Sequence, residues 1–100
     1  MSAPKVRSDY EQLRSVQKAF SSQADALQGM NQNVKACMST LEGRDWIGKG
    51  AQAFYKEMND QVLPTLQRLQ RAMAEGARVT QQISQIMKEA EDEASGCFHL

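Results

Sequence analysis

The sequence is poor in the residues that build disulfide frameworks and most catalytic sites. It contains two cysteines, two prolines and one histidine among its 100 residues. Cys37 and Cys97 are too few and too far apart for a disulfide framework or for a CxxC metal or redox motif. His99 has no neighbour that would fix it as a base or a ligand. Because no triad, metal cluster or cofactor loop is found, we expect a protein that is not an enzyme and binds no cofactor or metal.

The sequence also lacks an excess of either charge and any long apolar run. Twelve basic and twelve acidic side chains cancel, which removes the electrostatic driving force for binding nucleic acid or an anionic membrane. No apolar run is long enough to cross a bilayer, and the first residues, MSAPKVRSDYEQL, lack the apolar block of a secretory signal. We therefore expect a soluble chain with no Sec signal, no membrane insertion and no nucleic-acid partner.

The chain has instead apolar residues spaced three and four positions apart, which is the pattern of helices that share an apolar seam. The first half predicts a helix over about 9–41, with a capping box at Ser8–Glu11 and Gly43 at its end. The second half predicts a helix over about 51–94, in which Pro64 introduces a kink within the preceding turn. The predicted seam, within the hairpin or between chains, consists of Leu13, Val16, Phe20, Leu27, Met30, Val34, Leu41, Met58, Val62, Leu66, Leu69, Met73 and Ile83.

The short connection between the two helices makes them antiparallel neighbours. We therefore predict a single all-α hairpin over residues 1–100, with a turn at about 43–50 and a flexible tail at 95–100. Cys37 is expected to be buried on the seam and Met38 to be exposed. Further apolar residues lie off the seam and widen the apolar side beyond what one neighbouring helix covers: Phe54, Leu63, Val79 and Ile86. This excess predicts that the hairpin dimerises into a four-helix bundle.

The stretch GRDWIGKG, residues 43–50, differs from a phosphate-binding loop by one residue. Gly50 stands where that loop needs a hydroxyl for magnesium, and a helix rather than a strand precedes the stretch. A hairpin turn accounts for it better: Gly43 ends one helix, Asp45 caps the next, and Gly48 permits tight backbone geometry. Trp46 either covers the helix ends as a plug, which is the favoured interpretation, or anchors a partner, and the two roles are compatible.

Trp46-Ile47-Gly48 at the midpoint of a chain of 100 residues, followed by Gly50–Phe54 between two long helices, resembles the WXG-hundred family of small Esx-type secreted proteins. The resemblance implies a hairpin that pairs with itself or with a sister protein and leaves the cytoplasm through the type VII secretion machinery, without catalysis. Its role would be a dimeric export substrate or a co-secreted adaptor of a larger effector. The alternative is an intracellular helical adaptor or scaffold with no export role.

The resemblance also implies an export signal after the second helix, which the secretion ATPase recognises. Met87, Glu91, Ala94 and Phe98 match the broader spacing of that signal, although Met87 stands where the family has tyrosine. A partner with the complete signal could therefore carry this chain out of the cell. In an antiparallel dimer, Trp46 and the partner's segment from Met87 to Phe98 would form one composite surface. The choice between homodimer and heterodimer, and a disulfide between Cys37 and Cys97 of two chains, stay open at this point.

Overall fold

The chain folds into a long, thin helical hairpin. The computed structural model describes residues 4–97, which form α1 (Pro4–Gly43), α2 (Lys49–Glu57), a π-helical turn (Met58–Val62) and α3 (Leu63–Cys97). α2, the π turn and α3 follow one another without a break and run back along α1, and this part of the chain contains no strand. The rod measures 78 × 18 × 16 Å. The predicted all-α antiparallel hairpin is confirmed.

The helices extend further than the sequence pattern indicated. α1 is helical from Pro4, so Ser8 lies inside the helix and the capping box predicted there is wrong. Proline fits the first turn of a helix because that turn leaves its N–H groups unpaired. α3 is helical to Cys97, so Gly96 does not end it and residues 95–97 of the predicted tail are helical. The remaining tail residues, 98–100, lie outside the described range.

The side chains that pack between the two arms follow a strict repeat. Apart from glycines, Pro64 and the adjacent pair Val62 and Leu63 at the end of the π turn, every buried or half-buried residue lies three or four positions from the next in its arm, as in a coiled coil. We call these residues the inner stripe. In α1 they are Val6, Tyr10, Leu13, Gln17, Phe20, Ala24, Leu27, Asn31, Val34, Met38 and Leu41. In the returning arm they are Ala51, Tyr55, Met58, Val62, Leu63, Leu66, Gln70, Met73, Ala77, Thr80, Ser84, Met87 and Glu91.

A second set of apolar residues points away from the hairpin seam, and we call it the outer face. It consists of Val16, Met30, Leu69, Val79, Ile83 and Ile86, all of which are exposed. Four of them (Val16, Met30, Leu69 and Ile83) belong to the predicted seam, whose other nine members are buried or half-buried. Every outer-face residue immediately precedes an inner-stripe residue, and five of those six inner neighbours are polar: Gln17, Asn31, Gln70, Thr80 and Ser84.

Three further expectations about burial near the seam are wrong. Cys37 is exposed rather than buried, whereas Met38 is only 6% exposed. Leu63, expected to widen the outer apolar surface, is buried inside the hairpin. For Cys37 and Met38 the sequence pattern was wrong by one position, which rotates a helical side chain by about 100°. Leu63 differs, because it follows the π turn and lies inside together with the predicted seam residue Val62.

Gly76 allows the two arms to approach closely at the middle of the rod. A Cβ atom at this position would lie 2.8 Å from Cδ1 and 2.9 Å from Cε1 of the Phe20 ring. The absent side chain therefore makes room for an aromatic ring that is part of the inner stripe.

Gly76→Ala is accordingly expected to destabilise the hairpin although alanine favours helices. Displacing the Phe20 ring costs about 1–3 kcal/mol, which exceeds the gain of about 1 kcal/mol in helix propensity. Gly29→Ala is the matched control because nothing lies within 4 Å of its added Cβ, so this change should raise the melting temperature. Thermal unfolding at one fixed protein concentration measures both, and equal shifts for the two variants would contradict the explanation.

The returning arm departs from α-helical geometry just before Pro64. The Leu63 N–H donates to the Met58 carbonyl oxygen, five residues back, as in a π-helix. Pro64 has no N–H to donate, and its ring would press on the carbonyl four residues back in a regular α-helix. The Thr65 hydroxyl donates to the Gln61 carbonyl oxygen at 2.6 Å. The distortion lies where the sequence predicted a kink, and the arm continues through it.

Candidate interaction site

The turn begins with a Schellman motif at the end of α1. The Trp46 N–H donates to the Leu41 carbonyl oxygen and the Asp45 N–H donates to that of Glu42, both at 3.2 Å. These are the two bonds that define the motif, and they require the residue between the helix and Trp46 to be left-handed. Asp45 supplies that conformation with φ 57°. Gly43 ends the helix as predicted, but the left-handed residue is Asp45.

Asp45→Gly should therefore stabilise the hairpin. A non-glycine residue in the left-handed region costs about 1–2 kcal/mol, and the aspartate charge is unfavourable beside the negative end of the α1 dipole. The greater freedom of glycine in the unfolded chain offsets part of the gain, so we expect a net increase of about 0.5–1 kcal/mol. Asp45→Asn removes only the charge and should give a smaller increase. A lower melting temperature for Asp45→Gly would contradict this account.

The backbone conformation at the third position of the W-x-G motif requires glycine, which is Gly48 here. It precedes α2 with φ 113° and ψ 176°, a region that only glycine occupies without strain. Its carbonyl oxygen accepts the first helical hydrogen bond, from the Gln52 N–H at 2.9 Å. No side chain caps α2, so the predicted capping role of Asp45 is wrong.

Three aromatic rings form a cluster at the turn, which we call the turn cluster: Trp46, Phe54 and Tyr55. The Trp46 ring centroid lies 5.4 Å from each of the other two, in edge-to-face geometry. The Tyr55 hydroxyl also donates to the Trp46 carbonyl oxygen at 3.3 Å. Trp46 thus packs against the second turn of α2. It is nevertheless 40% exposed, which leaves part of the indole available to another molecule.

Ile47 is the most exposed large apolar residue at the turn, at 82%. The sequence pattern assigns no role to Ile47, which stands between Trp46 and Gly48. The aromatic rings behind it hold the backbone, so Ile47 projects from a fixed base rather than from a loose loop. Trp46, Ile47 and Phe54 together give this end of the rod an apolar tip.

The opposite, open end of the rod is polar. An open groove between the ends of α1 and α3 is lined by Tyr10, Arg14, Gln17, Ser84, Lys88 and Glu91, among other polar residues. The Tyr10 hydroxyl is enclosed and has no hydrogen-bond partner in the described range. Burial, followed by the negative charges of Glu91 and Asp92, raises the pKa of Tyr10. At the turn, burial and then the charge of Glu42 raise the pKa of Tyr55.

Both tyrosines should therefore ionise at higher pH in the folded chain than in the unfolded chain. Because folding raises each pKa, their neutral forms stabilise the fold below the unfolded pKa of about 10, and this contribution is lost as the pH rises through the folded pKa. Ultraviolet titration of tyrosinate in native and urea-unfolded protein measures the difference. Tyr10→Phe and Tyr55→Phe assign the two transitions, and coincident native and unfolded curves would contradict the expected shifts.

The residues of the signal-like pattern do not form one exposed surface. Met87 and Glu91 are half-buried on the inner stripe, Ala94 is exposed, and Phe98 lies outside the described residues. In the single hairpin, Met87 and Glu91 face α1 while Ala94 is open to solvent. The sequence spacing alone could not show this, because it does not fix which side of α3 faces α1.

The geometry defines a small helical-hairpin protein with an apolar outer face and an aromatic W-x-G turn. Its described helices include none that is both long and apolar enough to cross a membrane, and residues 4–97 contain no cluster of three potential metal ligands. A family model described as proteins of 100 residues with WXG matches residues 5–92. The chain belongs to this WXG100 family. Its members are small Esx-type proteins of type VII secretion and typically pair as dimers. Comparisons with curated proteins and with solved structures gave no match.

Proposed function

We propose that the chain is a non-enzymatic substrate or co-secreted adaptor of a type VII secretion system, exported as an antiparallel pair of hairpins. The observation that carries this proposal is the outer face, where six large apolar side chains are exposed along a rod whose own seam is partly polar. An apolar surface of this extent marks an interaction site. The membership of the chain in a type VII secretion family supports export as the purpose of that site.

The outer face lies on one side of the hairpin. In an antiparallel pair of helices, positions with the same offset from the seam lie on the same side of both helices. We consider the residues that stand one position before each inner-stripe residue. Within 16–40 and within 65–90, none of these residues is charged. Between the large residues this side has small ones, namely Ala19, Ala26, Ala72 and Ala90. The positions that follow the inner stripe include charged residues such as Arg14, Lys18, Lys35, Arg71, Arg78 and Lys88.

The accessible surface of the chain is larger than that of a compact monomer, which supports the proposed pairing. Its accessible area is 7815 Å², whereas a compact protein of 11.2 kDa exposes about 5,700 Å². The excess is more than the roughly 800 Å² that one partner contributes to a standard interface. A second hairpin packed on the outer face would reduce this excess and complete a four-helix bundle.

A second copy of this chain fits the outer face. Twelve basic and twelve acidic side chains cancel, so two copies do not repel each other through net charge. An antiparallel arrangement places the apolar tip at Trp46 and Ile47 beside the partner's segment from Met87 to Ala94. That composite surface would present the pair to the secretion ATPase, and the pair could escort a larger effector. A sister protein in place of the second copy is the alternative outcome of the test.

Light scattering on the purified chain tests the pairing. A particle of about twice 11.2 kDa that dissociates on dilution is expected. A chain that stays monomeric at all concentrations would show that a second copy is not the partner, and mixing with sister proteins would then be required to produce the pair.

Export is tested separately by following the chain in the culture medium of producing cells. We expect release that depends on the secretion ATPase and falls in Trp46→Ala, while the helical signal of the purified variant changes little. An intracellular adaptor would remain in the cell fraction whether or not the ATPase is active. A collapse of helicity in Trp46→Ala would assign the residue to folding alone.

A further inference from the structure

The inner stripe of the returning arm changes phase by one residue at the π turn. It begins with Ala51, Tyr55 and Met58, and the coiled-coil steps of three and four residues that α1 follows would lead from these residues to 62, 65, 69, 72, 76, 79, 83 and 86. Beyond the π turn the buried and half-buried residues are instead Leu66, Gln70, Met73, Ala77, Thr80, Ser84 and Met87, each one position later. A π turn takes up one extra residue, and here that residue shifts the phase of all of α3.

The phase change decides which side chains face α1. If the coiled-coil repeat continued without the π turn, four outer-face residues would point into the hairpin seam: Leu69, Val79, Ile83 and Ile86. With the π turn, Gln70, Thr80, Ser84 and Met87 occupy those places. The apolar side chains that a solitary hairpin would bury are therefore turned outward, although burying them would stabilise a single chain more than burying polar groups does.

Pro64 is the residue that favours the π turn over an α-helical one. It cannot donate to the Asp60 carbonyl oxygen, and its ring would collide with that group in a regular helix. The Leu63 N–H donates to Met58 instead, and the Thr65 hydroxyl satisfies the Gln61 carbonyl oxygen at 2.6 Å. These contacts compensate locally for the irregular turn.

We infer that Pro64, through the π turn, sets the register of α3 and thereby determines that Leu69, Val79, Ile83 and Ile86 face a second copy of the chain. This inference rests on the proposed pairing through the outer face. Pro64 is a positioning residue, because it acts on the docking surface only by rotating α3 by about 100°.

Two variants separate this role from a general effect on stability. Pro64→Ala restores the N–H and permits a continuous α-helix, so α3 should rotate, bury the outer-face residues against α1 and lose the particle of doubled mass. Pro64→Ala combined with deletion of Gln61 removes both the proline and the extra residue. A regular α-helix then places Leu66, Gln70 and Met73 against α1 again, and pairing should return.

Cysteine cross-linking reports the register independently of pairing. In a background of Cys37→Ser and Cys97→Ser, Tyr10→Cys is combined with Glu91→Cys or with Ala90→Cys. The parent register should favour the intrachain bridge to position 91, because Tyr10 and Glu91 both lie on the inner stripe and line the same groove. Pro64→Ala should favour position 90, and the variant with the deletion should favour position 91 again.

The outcomes distinguish this inference from the proposed function. If Pro64→Ala keeps both the preference for position 91 and the pairing, or loses its helical signal, the register role of Pro64 is wrong. If the parent never pairs but Pro64→Ala still moves the preferred cross-link from position 91 to position 90, Pro64 sets the register and the proposed pairing with a second copy is wrong. Loss of pairing in Pro64→Ala with recovery on deletion of Gln61 supports both.

Discussion

Replacing Ile83 by glutamate is expected to abolish pairing while leaving the hairpin helical. Ile83 is 45% exposed in the single chain and lies between Val79 and Ile86 on the outer face, so a partner hairpin would enclose it. A carboxylate enclosed in that interface without a cation costs about 3 kcal/mol or more. This cost raises the Kd of the pair roughly a hundredfold or more. A symmetric pair contains the substitution twice. Light scattering across a dilution series measures the loss of the doubled mass.

Gln81→Glu provides the matched control for this prediction. It adds the same charge two positions away, at an exposed residue beside the polar groove that contains Arg14 and Lys88. The control should pair like the parent protein. If both variants pair normally, the outer face is not the interface; if both fail to pair, added negative charge rather than the position is responsible.

Gly48→Ala is expected to be the most damaging single change in the turn. The backbone at φ 113° and ψ 176° is strained for any residue with a Cβ, at a cost of about 1–3 kcal/mol. No atom lies within 4 Å of the added Cβ, so the cost comes from the backbone rather than from a clash. The strained turn should also loosen the turn cluster, because Gly48 joins Trp46 to the helix that carries Phe54 and Tyr55.

Gly50→Ala isolates the backbone effect at Gly48. Gly50 lies in the first turn of α2, its φ is not positive, and nothing lies within 4 Å of an added Cβ. Alanine there should stabilise the helix by up to about 1 kcal/mol. Thermal unfolding and tryptophan fluorescence compare the two variants at equal concentration, and a Gly48→Ala protein as stable as Gly50→Ala would contradict the argument.

The hairpin could be predicted from the sequence because its two determinants are local. Apolar residues at three- and four-residue spacing specify helices, and the short W-x-G stretch between two long helices requires the chain to reverse. The family resemblance followed from Trp46 and Gly48, which the structure shows to be a packing residue and a backbone residue of the same turn.

The side on which each apolar residue lies could not be predicted in the same way. Each helix has more apolar residues than one neighbouring helix can cover, so the sequence leaves open which of them face the other arm. In α1, an apolar and a polar residue stand at adjacent positions in Val16 with Gln17 and in Met30 with Asn31. The sequence pattern predicts the apolar residue of each pair on the seam, yet in the hairpin the polar residue lies there. Either member of each pair keeps the spacing of three or four residues to its neighbours, so the spacing does not decide between them.

The conformation of the turn was also beyond a single-sequence argument. Glycine is the usual left-handed residue at a helix end, which favoured Gly43. The hydrogen bonds from the N–H groups of Asp45 and Trp46 show that the left-handed residue lies two positions later, where Asp45 adopts this conformation. Only the positions of the bonded atoms show where the last turn of α1 closes.

The two ends of the rod are held together by unequal means. At the bend, the chain itself links the arms and three edge-to-face rings pack Trp46 against α2, whereas the polar residues Tyr10, Gln17, Ser84 and Glu91 line an open groove towards the free termini. Contacts between residues close in sequence also lose less chain entropy when they form. Refolding should therefore start at the bend and zip outward, and amide protons near Tyr10 and Glu91 should exchange with solvent sooner than those near Leu41 and Ala51.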